Sequence, residues 1–138
     1  MIDLALAKQH LRVLHSREDA LIQSLITAAE QQFTHLTDRD LYADKASQDA
    51  AQTLIDNAQT ALDVAAALPD ADSDDIASQQ AAIDYRQQRM DDSVTLNESI
   101  TSGCLLLVGH LYVTRDIDAP VPKAIEYLWQ PYKIYRIA

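Results

Sequence analysis

Apolar positions recur at intervals of three and four residues along most of this chain, the spacing that puts side chains on one face of an α-helix. A short first helix ends near Val13. Ser16 then offers the N-cap of a longer helix, with Asp19 completing a variant capping box. This second helix ends near Thr37 or Asp38, and its inner stripe consists of Leu21, Ile22, Leu25, Ile26, Ala29, Phe33 and Leu36.

The middle of the chain keeps helical spacing but changes composition to Ala, Gln and Asp. One helix is predicted from about Ala46 to Leu68, where Pro69 stops it. Residues 70–75 form a loop, and a second helix continues to about Met90. Because most of the inner positions are alanines, the pattern predicts a helical hairpin with a thin apolar seam.

Residues 100–112 are apolar on nearly every side, which predicts a helix that is buried all round. Asn97 can cap this helix, and it ends near Arg115. Both glycines of the chain, Gly103 and Gly109, lie inside it, and each costs roughly 1 kcal/mol in a helix interior. We expect close approach by a neighbouring backbone to compensate. The predicted core positions are Leu105, Leu107, Val108, Gly109, His110 and Leu111.

Four aromatic residues follow within a nine-residue stretch, after Pro122 begins a last helix that Pro131 ends. They either close the core of the domain or anchor an interface, where tyrosine and tryptophan are enriched, and the two roles can coexist. The candidate subunit or partner interface comprises Tyr127, Trp129, Tyr132 and Tyr135, together with Arg115 and Arg136.

Composition supports an all-α fold, because two glycines and four prolines in 138 residues leave too few turns for a sheet. The single cysteine, Cys104, lies in the apolar helix and suits a reducing compartment as a small hydrophobe. The N-terminus lacks the pattern of a signal peptide, and no apolar run is long enough to span a membrane. We therefore expect a soluble protein with no membrane contact.

The net charge of −10 comes from the middle of the chain. Residues 40–98 hold 13 of the 21 carboxylates but only three basic residues, Lys45, Arg86 and Arg89. Such a segment repels a phosphate backbone, which disfavours sequence-specific DNA binding and is typical of a solvated, solubilising region.

No arrangement of residues indicates catalysis, a metal site or a cofactor. His35 and Asp38 have the spacing of two metal ligands, but two ligands do not make a site. Cys104 and His110 are separated by about 240° of helical rotation and about 9 Å of rise, which points them apart. His110 is most simply a core histidine.

Two blocks of sequence, one near each end of the chain, resemble the blocks of a single protein family. Residues 2–41 resemble its opening block, with Leu-x-x-Ala-Lys-x-His-Leu-Arg-Val from Leu4 and Glu-Asp-x-Leu-Ile-x-x-Leu-Ile-x-Ala-Ala from Glu18. Residues 100–137 resemble its closing block, with Leu-Leu-Leu-Val-Gly-His-x-Tyr from Leu105, Val-Pro from Val121, and an aromatic ending from Trp129.

This family is that of the head–tail connector proteins of long-tailed phages. The resemblance implies a structural subunit that assembles into a ring of about twelve copies. The ring would dock beneath the portal at the capsid vertex, let DNA pass, and carry the head-completion and tail proteins. The protein would be a virion component assembled in the host cytoplasm, without catalytic residues or cofactors. Family members often join the two blocks by a shorter segment and have a longer loop before the Val-Pro pair.

The predicted architecture is therefore a small helical bundle with a projecting acidic hairpin, assembling into a ring. Residues 1–42 and 96–138 form the connector core, and residues 43–95 form the acidic insertion, which we expect to face outward rather than into the bore. The alternative function is a small helical regulator or chaperone that binds one partner protein through its aromatic C-terminal tail.

Overall fold

The fold is all-α, as the sequence predicts. The computed structural model describes residues 1–115 and 120–135. Within these residues the elements are α1 (Leu4–Leu11), α2 (Asp19–Thr37), β1 (Leu41–Tyr42), α3 (Lys45–Ala66), α4 (Ser73–Asp91), β2 (Val94–Thr95), α5 (Glu98–Thr114), α6 (Lys123–Trp129) and a 3₁₀ turn (Gln130–Tyr132). The two short strands pair with each other.

The start of α2 differs from the prediction. The helix begins at Asp19, and the residue before it, Glu18, makes no side-chain cap. Ser16 contributes only its backbone carbonyl, which accepts from Asp19 N at 3.3 Å. The Asp19 carboxylate instead accepts a hydrogen bond from Lys8 Nζ at 2.6 Å, in a contact between α1 and α2. The predicted capping box is therefore not formed at the start of α2.

The described structure divides into two compact units. Residues 1–41 with 96–138 form one unit, which we name the body, and residues 42–95 form the other, the hairpin unit. The core of the body is built on α2 and α5, with α1 and α6 packed against them. Its most completely buried large side chains are Ile22, Ile26, Phe33, Ile100, Leu107, Val108, Ile125 and Trp129.

One side of α5 is open, which corrects the prediction of a helix buried all round. Leu105, Leu107, Val108 and Leu111 are buried as predicted, whereas Gly109 and His110 are half-buried. Leu106 is 44% exposed and Val113 is 80% exposed. The reason is that α1, α2 and α6 supply the neighbours of α5 within the body, and they leave part of its circumference uncovered.

The two glycines of α5 accommodate side chains, not a neighbouring backbone as predicted. A Cβ atom at Gly103 would lie 2.3 Å from Trp129 Nε1 and 2.9 Å from Trp129 Cε2, so only glycine fits there. A Cβ atom at Gly109 would lie 3.5 Å from His10 Nε2, which is an ordinary contact. Only the first glycine is therefore required by packing.

The hairpin unit is joined by pairs of glutamines as well as by apolar contacts. The side-chain amides of Gln52 and Gln87 bond each other reciprocally, at 2.7 and 3.1 Å, and those of Gln59 and Gln80 do so at 2.9 Å. Position 52 faces 87 and position 59 faces 80, so α3 and α4 run antiparallel. The seven-residue spacing on each helix is that of a coiled coil.

Each glutamine of these pairs also donates to an aspartate four residues later on its own helix, at 2.7–2.9 Å. The apolar side chains that are buried in the unit are few: Leu62, Ile83 and Met90. The glutamine pairs therefore supply part of the specificity that a larger core would otherwise provide.

Candidate functional site

The four C-terminal aromatic residues fall into two sets. Trp129 is 1% exposed and packs edge-on against Phe33, with ring centroids 5.4 Å apart. Tyr132 also meets Phe33 edge-on, at 5.9 Å, and is half-buried. These two rings close the core of the body, the first of the two roles that the sequence left open.

Tyr127 and Tyr135 belong to the second set, because they are 71% and 70% exposed. Tyr127 lies on α6, whose inner face is occupied by Ile125 and Trp129. Lys133 Nζ lies 5.6 Å from the centroid of the Tyr135 ring, within the range of a cation–π contact. These two tyrosines are the aromatic side chains of the tail that remain accessible to a partner.

Hydrogen bonds hold the tail against the end of α2. The backbone N–H of Ile134 donates to the carbonyl of Thr37 at 2.9 Å, and the guanidinium of Arg39 donates to the carbonyl of Tyr132. The Asn97 side-chain amide donates to the Tyr132 hydroxyl at 3.0 Å. The tail therefore keeps a defined course over the body as far as the described residues extend, and it can form one wall of a groove.

That groove is a cavity of about 380 Å³, which we name the C-terminal groove. Its charged groups are the ammonium groups of Lys123 and Lys133 and the carboxylate of Glu126. In the part of the chain that the structure describes, neither ammonium group lies within ion-pair distance of a carboxylate. The remaining lining residues are Leu36, Thr37, Tyr127, Trp129, Gln130 and Tyr135.

Arg115 lies apart from the C-terminal groove. It caps the end of α5 in a left-handed conformation, with φ 53°, and lines a second, mostly apolar cavity of about 380 Å³ with Leu21, Leu25 and Leu111. At its rim the Tyr112 hydroxyl donates to the Glu18 carboxylate at 2.5 Å, and this bond raises the pKa of Tyr112.

Arg136 of the candidate interface lies outside the described residues. So do residues 116–119, which form most of the short segment before the Val-Pro pair.

The described residues contain no arrangement suited to thiol or metal chemistry. Burial raises the pKa of the Cys104 thiol to about 12, so it stays protonated at neutral pH, and its Sγ lies 3.9 Å from the carbonyl of Ala29. No three histidine, cysteine or carboxylate side chains within residues 1–115 and 120–135 are grouped to hold a metal ion. None of the helices in that range has the length and apolarity needed to cross a membrane.

Sequence reasoning missed two features. The contribution of Leu36 and Thr37 to the C-terminal groove depends on where the tail folds back, and no local pattern indicates it. The glutamine pairs could have been found, because Gln52 and Gln59 are seven residues apart and so are Gln80 and Gln87.

Comparison with known proteins agrees with the two blocks that suggested a connector. No curated protein and no solved structure matches the chain. The sequence profile of the family described as "Phage gp6-like head-tail connector protein" matches residues 1–127, a range that includes the hairpin unit. Over nine-tenths of its length, therefore, this chain matches one family of structural virion proteins, and it belongs to the phage head–tail connector family.

Proposed function

We propose that this protein is a ring-forming subunit of the connector that docks beneath the portal at the capsid vertex. Membership of the family gives it a structural role in the virion, with portal and head-completion or tail proteins as the implied partners. Formation of a ring, its position beneath the portal and the passage of DNA go beyond family membership and are part of our proposal. The match over residues 1–127 is the observation that carries the proposal.

Exposed apolar and aromatic side chains on the body support an assembly role. Leu106 and Val113 are exposed on the uncovered side of α5, and Tyr127 and Tyr135 are exposed near the C-terminus. Exposed aromatic groups at defined positions are typical of interface anchors. Trp129 is buried in the subunit itself, so the interface that we propose uses the two exposed tyrosines.

The charge distribution supports passage of DNA without sequence-specific binding. The chain has a net charge of −10, and the hairpin unit alone has eleven carboxylates against Lys45, Arg86 and Arg89. A protein with so strong a negative charge repels phosphates over long range, which disfavours adhesion of DNA whichever way the hairpin unit faces. We further propose that the subunits assemble in the host cytoplasm as the virion is completed.

The test is to mix the purified chain with the portal protein of the same phage and to measure mass and shape by sedimentation and electron microscopy. We expect a closed ring stacked coaxially on the portal. A chain that remains monomeric at every concentration, with and without the portal, would contradict the proposal.

Matched variants locate the surface. Replacing Tyr127 and Tyr135 by serine should weaken ring formation or portal binding, since both rings are exposed on the body. Tyr85→Ser is the control, because Tyr85 is 62% exposed but lies on α4 of the hairpin unit. Equal losses in both variants would show that tyrosine exposure, and not this surface, controls assembly.

A further inference from the structure

The positive charge of the C-terminal groove is not neutralised by an ion pair among the described residues, although Lys133 also contacts the ring of Tyr135. Lys123 and Lys133 line the groove without a carboxylate in ion-pair distance among the described residues. The exposed rings of Tyr127 and Tyr135 line it too, and Leu36 adds an apolar side chain. Such a site suits an acidic segment that also carries an apolar anchor, because each kind of group then meets its complement.

The chain has a segment of that kind where α3 leads into α4: residues 68–75, which include the first three residues of α4 and which we name the acidic tip. Leu68 begins the acidic tip and is 60% exposed. Pro69 follows it, and four carboxylates come next within six residues, those of Asp70, Asp72, Asp74 and Asp75. All four aspartates are exposed. The acidic tip is thus an apolar side chain followed by a dense negative charge, carried on a helical hairpin.

The hydrogen bonds within the acidic tip leave most of its charge available. The Asp72 carboxylate accepts from the backbone N–H groups of Asp74 and Asp75, at 2.9 and 3.3 Å, and so caps α4. Asp75 accepts from Gln79 at 3.0 Å. No basic side chain among the described residues forms an ion pair with the acidic tip. The three basic residues of the hairpin unit, Lys45, Arg86 and Arg89, lie outside it in sequence.

We propose that the acidic tip of one subunit docks in the C-terminal groove of the next copy in the ring. This inference rests on the proposed function, because it names the contact that joins adjacent subunits. The groove and the tip are different surfaces of one chain, so the contact is head-to-tail, and repeated head-to-tail contacts close into a ring when the rotation between copies permits. Leu68 enters beside Leu36 and the tyrosines, and the carboxylates face Lys123 and Lys133.

A second copy fits the groove better than the DNA backbone does. The groove contains the carboxylate of Glu126, which opposes any ligand that offers negative charge alone. The acidic tip offers in addition the exposed side chain of Leu68, which complements Leu36 and the tyrosine rings and which a phosphate backbone lacks.

Charge exchange between two variants tests the proposal. The groove-reversed variant carries Lys123→Glu and Lys133→Glu. The tip-reversed variant carries Asp70→Lys and Asp74→Lys and keeps Asp72, so that the cap of α4 survives. Each variant alone presents like charges at the contact, and we expect each to require a roughly tenfold or higher concentration for half-assembly in sedimentation experiments, more so at low salt.

A mixture of the two variants should assemble again, because acidic grooves then meet basic tips and basic grooves meet acidic tips around an alternating ring. A single chain with all four substitutions should likewise assemble alone. The control variant carries Ala50→Lys, Asn57→Lys, Ala81→Lys and Gln88→Lys, at exposed positions of the hairpin unit that lie outside the acidic tip and the glutamine pairs. It makes the same total charge change as the tip-reversed variant and should assemble like the original chain.

Three results would overturn the inference. The first is unimpaired assembly of both reversed variants, and the second is failure of the mixture to assemble. The third is binding of a short DNA duplex that the Lys123→Glu and Lys133→Glu substitutions abolish, together with normal assembly of the tip-reversed variant. If the chain with all four substitutions assembled but the mixture did not, the acidic tip would contact the groove of its own chain. This result would also overturn the inference. None of these results coincides with failure of the proposed function, which would show itself as no assembly of the unmodified chain.

Discussion

The body and the hairpin unit hold their helices together with different kinds of side chain. In the body, Trp129, Phe33 and the aliphatic face of α5 are buried, and Gly103 lets the indole ring approach the helix. In the hairpin unit, paired glutamines and a few apolar side chains join two helices made mostly of Ala, Gln and Asp.

The difference has a physical consequence for stability. Burying a large aromatic or aliphatic side chain contributes roughly 1.5–3 kcal/mol, and a typical hydrogen bond contributes only about 0.5–1.5 kcal/mol net. We therefore expect damage to the body to cost more than damage to the hairpin unit, and the two kinds of damage to be separable by experiment.

The largest effect should come from Gly103→Ala. The new Cβ would lie 2.3 Å from Trp129 Nε1, so the indole or the helix must move, and overpacking of this kind costs roughly 1–3 kcal/mol. Labelling of Cys104 by a thiol reagent measures the effect, because this buried thiol reacts only when the body opens. We expect the labelling rate to rise roughly tenfold or more, since 1.4 kcal/mol corresponds to a factor of ten.

Gly109→Ala is the matched control in the same helix. Its Cβ would meet His10 Nε2 at 3.5 Å, an ordinary contact, and alanine improves helix propensity by up to about 1 kcal/mol. Labelling of Cys104 should be unchanged or slower. If both substitutions accelerated labelling equally, the close approach of Trp129 to Gly103 would not be the cause.

A smaller effect, confined to the hairpin unit, should follow from Gln59→Ala. The substitution leaves Gln80 without its reciprocal partner, which costs roughly 0.5–1.5 kcal/mol. Amide hydrogen exchange along α3 and α4 should accelerate, while labelling of Cys104 in the body should not change. Gln79→Ala is the control, because Gln79 is exposed and bonds only Asp75 on its own helix. A change in Cys104 labelling would refute the separation of the two units.

The smallest effect concerns pH. The Asp44 carboxylate accepts from the backbone N–H of Ser47 at 2.8 Å, and this bond, together with the Ser47 side chain, lowers the pKa of Asp44 below 3.8. A lowered pKa in the folded state means that the cap stabilises α3 above pH 3.8 and is lost as the pH falls through the folded value. Amide exchange near the start of α3 should therefore accelerate in acid. Asp44→Asn keeps an acceptor that does not titrate, so this acid-dependent part should disappear.

Local signals predicted much of the fold. Asn97 caps α5 and accepts from Ile100 N at 3.0 Å, and α2 ends at Thr37, because caps and periodicity act within a few residues. Non-local contacts account for the failures. The capping box at Ser16 was wrong: the Asp19 carboxylate contacts Lys8 of α1, a contact that no local pattern indicates. The exposure of Val113 depends on how many helices surround α5.

The candidate site was predictable only in part, for the same reason. The sequence identified four aromatic residues without separating buried Trp129 from exposed Tyr127, because their exposure depends on how α6 rotates against Phe33 and Gly103. The walls of the C-terminal groove come from α2, α6 and the tail, which are distant in sequence. A family resemblance supplies the function of such a surface but not its geometry.

We propose that the connector body folds by itself and that residues 43–95 are an insertion into it. The direct test replaces residues 45–93 with a short Gly/Ser linker, which suffices because paired strands such as β1 and β2 lie about 5 Å apart. Thermal unfolding is followed through Trp129, the single tryptophan of the chain, which is buried in the body. We predict one cooperative transition with a buried tryptophan in the shortened chain. Loss of cooperative unfolding would show that the segment is part of the core, and it would contradict the account.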